Sequence, residues 1–439
     1  MNDLLISFYG DDFTGSTDAA ESLCLAGVKT VLFTAPPTPS QLGRFPCLRA
    51  FGVAGVTRAQ PPAVMEQTLR PAFEAMRQAG APIVHYKVCS TFDSSPAVGS
   101  IGKAIDVGSD VFAQHCVPVV VGAPSLGRYC AFGNLFARSG TGSEPIRLDR
   151  HPSMSRHPIT PMTEADLRLH LAKQTQKSIG LIDATQLSLG ECQLFDIYDA
   201  QSIENEVLLI DLMQREQLRS VGALLHRGVG SGEAHFVVGS SGVGESLCTC
   251  WREKNLVRDD DALQPAGAAP GPIIAICGSC SPITAGQIEH ASRGGFTEVK
   301  VDVGSSIRAM NAITPATSAL RDGKSVVLHT AGATLPDHRL APAAASGIGP
   351  RLARVLRELL QATSVRRVVI AGGDTSGQIA NALEIESMEM IATLARGAPL
   401  MRVTAPGSPA DAVEMVFKGG QIGPPDFFSS VRDGIRETT

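Results

Sequence analysis

The chain has 439 residues, of which 44% are hydrophobic and 18% charged, with a formal net charge of −5. That length exceeds one ordinary core and predicts two domains. An acidic balance without a basic block, one Trp and four Tyr exclude nucleic acid as the main partner, and no apolar run reaches the roughly 18 residues that a membrane span needs.

Along the chain a short Val/Ile-rich run, a Gly/Ser turn and an amphipathic segment alternate. This is the pattern of βαβ units on a parallel sheet. In the first half the predicted strands are Leu4–Phe8, Leu48–Val53, Ile83–Tyr86, Val117–Val121, Ser178–Asp183, Val207–Ile210 and His235–Val238. Helices are predicted over Ser16–Leu25, Pro62–Ala79, Ser95–Val107 and Glu164–Gln174. Residues 257–272 break the rhythm with a charge run and three prolines, which is linker composition. Strands resume at Ile273–Cys277, Glu298–Val301, Ser325–His329, Arg367–Ala371 and Leu400–Thr404, with helices at Thr284–Ser292, Pro350–Thr363 and Gln378–Ser387. The expected fold is α/β, with two domains each built on a mostly parallel sheet flanked by helices. They span residues 1–256 and 273–428.

The most informative segment is Tyr9-Gly-Asp-Asp-Phe-Thr-Gly-Ser-Thr-Asp18. It places Asp11, Asp12 and Asp18 between the end of a strand and the first turns of a helix, where α/β enzymes bind ligands. Like charges so close need a cation, a metal or a proton-accepting role to compensate them. Two cations follow other strand ends, Arg58 after Phe51–Thr57 and Lys87 after Ile83–Tyr86. Residues 149–161, proline-stiffened with two His and two Arg, form a loop of the kind that covers sites.

The second half carries three small-residue turns after strands: Cys277-Gly-Ser-Cys-Ser-Pro282, Ala371-Gly-Gly-Asp-Thr-Ser-Gly377 and Ala405-Pro-Gly-Ser408. Such turns let backbone N–H groups approach an anion at a helix N-terminus. Asp374 adds a carboxylate suited to Mg²⁺. Neither GxxxxGK[ST] nor GxGxxG with its distant acid is present, which counts against P-loop and Rossmann proteins. Gly239-Ser-Ser-Gly-Val-Gly244 comes nearest, with the wrong glycine spacing. Ten cysteines suggest reduced, mostly buried thiols, and Cys277/Cys280 stand alone without a second ligand pair for zinc. No cationic stretch precedes an apolar one at the N-terminus, so a cytoplasmic location is expected.

The motifs Gly10-Asp-Asp-Phe-Thr-Gly15, Lys87-Val-Cys-Ser-Thr91, His157-Pro-Ile-Thr-Pro-Met162, Gly278-Ser-Cys-Ser281 and Gly372-Gly-Asp-Thr-Ser-Gly377 together resemble the four-carbon acid sugar kinases, in that family's order and over nearly the whole chain. The resemblance implies an N-terminal acid-sugar domain and a C-terminal ATP domain. By position, Asp12, Arg58, Lys87, Val88, Cys89 and Ser90 match the substrate contacts, and Ser279, Gly372, Gly373, Asp374, Thr375 and Gly407 match the ATP contacts. Ser281 belongs to the first of these turns. Many members read Ala-Asp-Asp-Phe-Thr-Gly-Ala at the first motif. The flanks Tyr9-Gly10 and Ser16-Thr17 look more like members acting on 3-oxo-isoapionate, and are expected to bear on which acid sugar is handled.

The chemistry implied is phosphoryl transfer from ATP with Mg²⁺. Arg58 and Lys87 would grip the substrate carboxylate and neighbouring oxygens, Asp12 would orient the accepting hydroxyl and could take its proton, and Asp11 would tune that charge or pack structurally. An NAD-dependent oxidoreductase and a catalytically silent sugar-acid or nucleotide sensor are the competing readings. A homodimer is the commonest arrangement for such a protein.

Overall fold

A computed structural model describes residues 3–139, 143–230, 233–257, 266–278, 281–330, 347–395 and 397–434. The chain divides into two compact units, Met1–Thr30 with Ala35–Asp261, and Val31–Thr34 with Ala262–Thr439. Half of the linker predicted at 257–272, residues 258–265, lies outside the described residues.

The main-sheet strands of the first unit are β1 (Ile6–Gly10), β3 (Ala50–Ala54), β4 (Ile83–Lys87), β5 (Val117–Val120), β9 (Ile179–Ile182), β10 (Val207–Ile210) and β11 (His235–Gly239). They run parallel in the order β3-β1-β4-β11-β5-β10-β9. Their near-continuous apolar runs reflect burial on both faces. The helices used below are α1 (Phe13–Leu25), α2 (Pro62–Ala79), α3 (Ile101–Val111) and α4 (Ser241–Glu253). An aromatic cluster fills the space between sheet and helices. Phe73 of α2 stands edge-on to Tyr9 and Tyr86, and packs on Phe112 and Phe236. A small antiparallel sheet of β6 (Arg128–Ala131), β7 (Asn134–Arg138) and β8 (Pro145–Arg147) has no counterpart in the sequence reading. It is held by Asp211, a fully buried carboxylate that accepts the backbone N–H groups of Phe132, Gly133 and Ala184.

The second unit has the strand order β13-β14-β12-β15-β18-β17-β16-β2. Its parallel part comprises β12 (Ile274–Cys277), β13 (Thr297–Lys300), β14 (Val326–His329), β15 (Arg367–Ala371) and β18 (Glu414–Lys418). Two antiparallel strands extend it, β16 (Ser387–Ala395) and β17 (Ala398–Thr404). The helices are α5 (Pro282–Arg293), α6 (Ile348–Ala362), α7 (Gly373–Ala382) and α8 (Phe427–Asp433).

Two differences from the sequence reading matter. The helix predicted at Gln378–Ser387 ends at Ala382, because Ser387 already opens β16, whose backbone groups pair with β17. The strand β2 (Thr30–Phe33), which the sequence reading does not assign, pairs antiparallel with β16, so that Val31–Thr34 belong to the second unit. Thr34 seals that edge through a 2.6 Å hydrogen bond from its hydroxyl to the Ile385 carbonyl.

Candidate active site

Three adjacent parallel strands end at one point in the first unit. Gly10, the last residue of β1, is level with Ala54 of β3 and Lys87 of β4. The chain then turns sharply. Asp11 N–H donates to the Lys87 carbonyl at 2.9 Å, and Arg58 N–H donates to the Asp11 carbonyl at 2.9 Å. Asp12 is extended (φ −141°, ψ 165°) and caps α1, its Oδ1 accepting the Gly15 N–H at 2.8 Å. A carboxylate at that position also faces the favourable end of the helix dipole.

Arg58 compensates the acid pair. Its Nε and Nη2 donate to Asp11 Oδ2 and Oδ1 at 3.0 and 2.6 Å. Its Nη1 and Nη2 donate to Asp12 Oδ2 and Oδ1 at 2.7 and 2.9 Å. A guanidinium has five N–H donors, so one, on Nη1, remains free of these bonds. The expectation that Arg58 mainly grips a substrate carboxylate therefore changes, since most of its fork is committed to Asp11 and Asp12.

The two acids differ. Asp11 is buried with 3% of its side chain exposed, whereas Asp12 keeps 29% exposed. Oδ1 of Asp12 accepts two bonds, but Oδ2 accepts one and keeps a lone pair. Burial lifts the Asp12 carboxyl above its ordinary value, with Arg58 opposing and the Asp11 charge adding to the rise. For Arg58, burial is the largest influence and works against the charge, but Asp11, Cys89 and Asp12 together outweigh it and hold the guanidinium well above its usual value.

Lys87 is also buried, its Nζ donating to the Val88 carbonyl at 2.9 Å and lying 4.0 Å from Asp18 Oδ2. A Cβ on Gly15 would sit 2.5 Å from Asp12 Oδ1 and 3.6 Å from both Arg58 Nη2 and Lys87 Nζ. Glycine there keeps an approach to both cations and the acid open. Beyond Lys87, Val88 is pinned by its N–H to the Gly239 carbonyl at 2.8 Å. The Cys89 thiol is 2.9 Å from Thr91 Oγ1, and burial pushes it up to about 11, so it is no thiolate at neutral pH. Ser90 is half-buried.

The cluster thus brings together Asp11, Asp12, Arg58 and Lys87, and adds a partner the sequence reading missed. Ser241 Oγ, in the first turn of α4, donates to Asp18 Oδ2 at 2.7 Å. The signal lay in Gly239-Ser-Ser-Gly, which follows β11, the neighbour of β4.

The flanks of the motif are buried. Tyr9, Ser16 and Thr17 are 3%, 0% and 1% exposed. A Cβ on Gly10 would fall 2.0 Å from Ser16 Oγ. Gly10 and Ser16 therefore exchange volume, and these flanks shape packing behind the acids instead of reaching a substrate. The 149–161 loop is held by its own bonds, such as Met162 N–H to the Met154 carbonyl at 2.9 Å and the Thr160 N–H to His157 Nδ1 at 3.1 Å.

In the second unit, Gly278 and Gly372 follow the level ends of β12 and β15, and the Gly278 N–H donates to the Ala371 carbonyl at 3.0 Å. A Cβ on Gly278 would meet Thr375 Oγ1 at 2.4 Å, so the two loops touch. Gly372 takes φ 129°, a conformation that needs glycine, and α7 starts at Gly373 with Thr375 buried in its first turn. Ser281 caps α5 by accepting the Ile283 N–H at 3.2 Å. Two helix N-termini thus sit at neighbouring strand ends, a cradle for an anion. Gly407 (φ 81°) turns the chain after β17 with open space where a Cβ would be. Ser279 and the Asp374 side chain lie outside the described residues. Among the described residues no group of three or more His, Cys, Asp or Glu could hold a metal ion, and no helix is long and apolar enough to cross a membrane. The nine described cysteines are free thiols.

Comparison with known proteins agrees with this division of labour. Residues 6–247 match the model of a sugar-binding N-terminal domain, and residues 274–428 that of a nucleotide-binding C-terminal domain. The chain is 44% identical to the 3-oxo-isoapionate kinase of Paraburkholderia graminis, over 98% of this chain and 94% of that one. It is 30% identical to the 3-oxo-tetronate kinase of Methylobacterium radiotolerans, over 98% and 99%. Among solved structures, a Salmonella typhimurium LT2 protein superposes with a TM-score of 0.80 at 24% identity, covering 97% of this chain and 98% of that one. A Haemophilus influenzae protein gives 0.75 at 21% identity, covering 98% and 100%. At those identities the structures speak for the fold alone.

Proposed function

The chain belongs to the four-carbon acid sugar kinase family, and on that footing we propose that its acceptor is 3-oxo-isoapionate or a close branched analogue. It is an ATP-dependent kinase of a small acid sugar, as its named relatives are kinases over nearly their full lengths, and the oxidoreductase and sensor readings fall away. The observation that carries the choice of acceptor is the 44% identity to the isoapionate enzyme against 30% to a tetronate enzyme.

Asp12 is the catalytic base in this reading. Its free Oδ2 lone pair takes the proton of the acceptor hydroxyl as that oxygen bonds to the γ-phosphorus, and the bond from the γ-phosphorus to the bridging oxygen breaks to release ADP. A carboxyl lifted above its usual value is a stronger base than an ordinary Asp. Asp11 fixes Arg58 and sets the charge around Asp12. Lys87, the remaining Nη1 proton of Arg58 and the Val88–Ser90 backbone hold the oxygens of the substrate. The nucleotide is held by Ser279, Ser281, Gly372, Gly373, Asp374, Thr375 and Gly407. Asp374 and the Thr375 hydroxyl would offer oxygen donors of the kind Mg²⁺ prefers, and the ion would neutralise phosphate charge. We place the enzyme in the cytoplasm, where ATP is made and thiols stay reduced, as a homodimer by the usual prior.

A coupled ADP-release assay over a panel of four- and five-carbon acid sugars tests the reading. ADP release should depend on the added acid, with 3-oxo-isoapionate giving the highest kcat/KM. Preference for 3-oxo-tetronate would refute the acceptor, and release with none of them would refute the assignment altogether.

A further inference from the structure

In the second unit the last strand of the sheet ends on a lysine that, among the described residues, faces no carboxylate. Lys418 closes β18 and is fully buried at 0% exposure. Its Nζ lies 3.5 Å from the Thr284 hydroxyl oxygen and 5.8 Å from the centre of the Phe427 ring. Among the described residues no carboxylate pairs with it. Burial lowers this ammonium to about 8, with Cys277 opposing. Cys277 is no counter-ion either, since burial pushes its thiol up to about 12.

The register explains how the ammonium gets there. Cys277, Ala371 and Lys418 occupy one level across β12, β15 and β18, so their side chains share a face. Ala371 in the middle is small enough for Lys418 to reach over it toward α5. Thr284 is in the first turn of this 12-residue helix, its hydroxyl donating to the Gly420 carbonyl at 2.9 Å. The ammonium therefore lies at the amino end of α5, where unpaired N–H groups already carry positive partial charge. Two positive fields in one dry place oppose each other unless an anion faces both. The loops able to hold that anion begin at the same level. Gly278 follows Cys277, Gly372 follows Ala371, and the Gly372 N–H donates to the Lys418 carbonyl at 2.9 Å.

We propose that Lys418 is the buried cation of the nucleotide site, a positioning residue whose charge acts through the Gly372 loop and the amino end of α5 to hold the phosphates without touching them. This rests on the reading that the second unit binds ATP. An unpaired buried ammonium destabilises a fold, whereas an apolar side chain of similar length packs there without penalty. Serving the phosphates and serving the core therefore predict opposite consequences for its removal.

The test is Lys418→Met in the full chain, with Lys418→Gln as a second neutral variant. Calorimetry with Mg-ADP and with adenosine, and thermal unfolding, are the readouts. A unit charge roughly 10 Å from a phosphate, at an effective dielectric near 20, changes affinity about tenfold for each facing charge. Both variants should bind ADP at least about tenfold more weakly, bind adenosine as the wild type does, and unfold at the same temperature or higher. Unchanged ADP affinity overturns the inference. So does an equal loss for adenosine, or a fall in unfolding temperature in both variants, since the lysine would then serve the core. Wild-type protein that binds no ADP overturns the nucleotide reading itself, which separates the two failures.

Discussion

Replacing Arg58 with Met tests the centre of the first-unit site. The guanidinium makes four hydrogen bonds to two carboxylates, and the side chains of Arg58, Asp11 and Asp12 are 25%, 3% and 29% exposed. Removing one partner of a buried pair costs about 3–5 kcal/mol, which applies to Asp11. The Asp12 pair borders water and adds at most about 1 kcal/mol. At roughly 2–4 °C per kcal/mol for a unit of this size, unfolding should move down by about 6–24 °C at pH 7.5.

The pH dependence has a definite sign. Burial already holds the Asp12 carboxyl above its ordinary value, and Arg58 opposes that rise. Without Arg58 the folded-state value climbs further while the unfolded value stays near 3.9. Between the two the folded variant binds more protons than the unfolded chain, so its stability relative to wild type grows as pH falls. Calorimetric unfolding of both proteins at pH 7.5 and pH 5 should show the deficit shrinking. A variant within about 1 kcal/mol of wild type, or a deficit that does not change with pH, would refute this account of the cluster.

Asp12→Asn should lower kcat by about 10²–10⁴ while ADP binding persists, and near-normal turnover would remove the base. In the wild type the acidic limb of kcat/KM should lie above the ordinary carboxylate value, and that limb should vanish in the variant. Gly10→Ala drives a methyl into Ser16 and should cost about 1–3 kcal/mol, part of it restored by adding Ser16→Ala, which removes the 2.0 Å contact with Oγ and leaves the 2.9 Å contact with Cβ; additive losses in that cycle would show the two positions to be uncoupled. Gly372→Ala forces a side chain onto φ 129° and should weaken ADP binding about tenfold or more by calorimetry, with the unfolding of the first unit unmoved.

The α/β class and most strand ends were legible because they rest on local features. Val207–Ile210 and Arg367–Ala371 begin and end as their apolar runs do, and Pro62–Ala79 as its helical spacing does. Asp12 beside a strand end and a helix start was legible for the same reason, as were the glycine turns of the second half. The segment from Gln378 to Ser387 misled, because helical spacing cannot reveal that a distant strand, β17, waits for the backbone of Ser387 onward. The short polar strands β6, β7 and β8 escaped for a similar reason, since their apolar positions alternate over too few residues to stand out.

Sequence spacing established that acids, cations and glycines stand at strand ends, since each is set by its own neighbours. Which of them meet was decided by the order and register of strands far apart in the chain. Register put Arg58 onto both Asp11 and Asp12, turning a presumed substrate grip into a charge clamp. Register likewise carried Lys418 over Ala371 to the amino end of α5, and pairing with β16 took Val31–Thr34 into the second unit. Hydrophobic periodicity is written within a dozen residues, whereas compensation of a buried charge is a contact between residues that only the folded chain brings together.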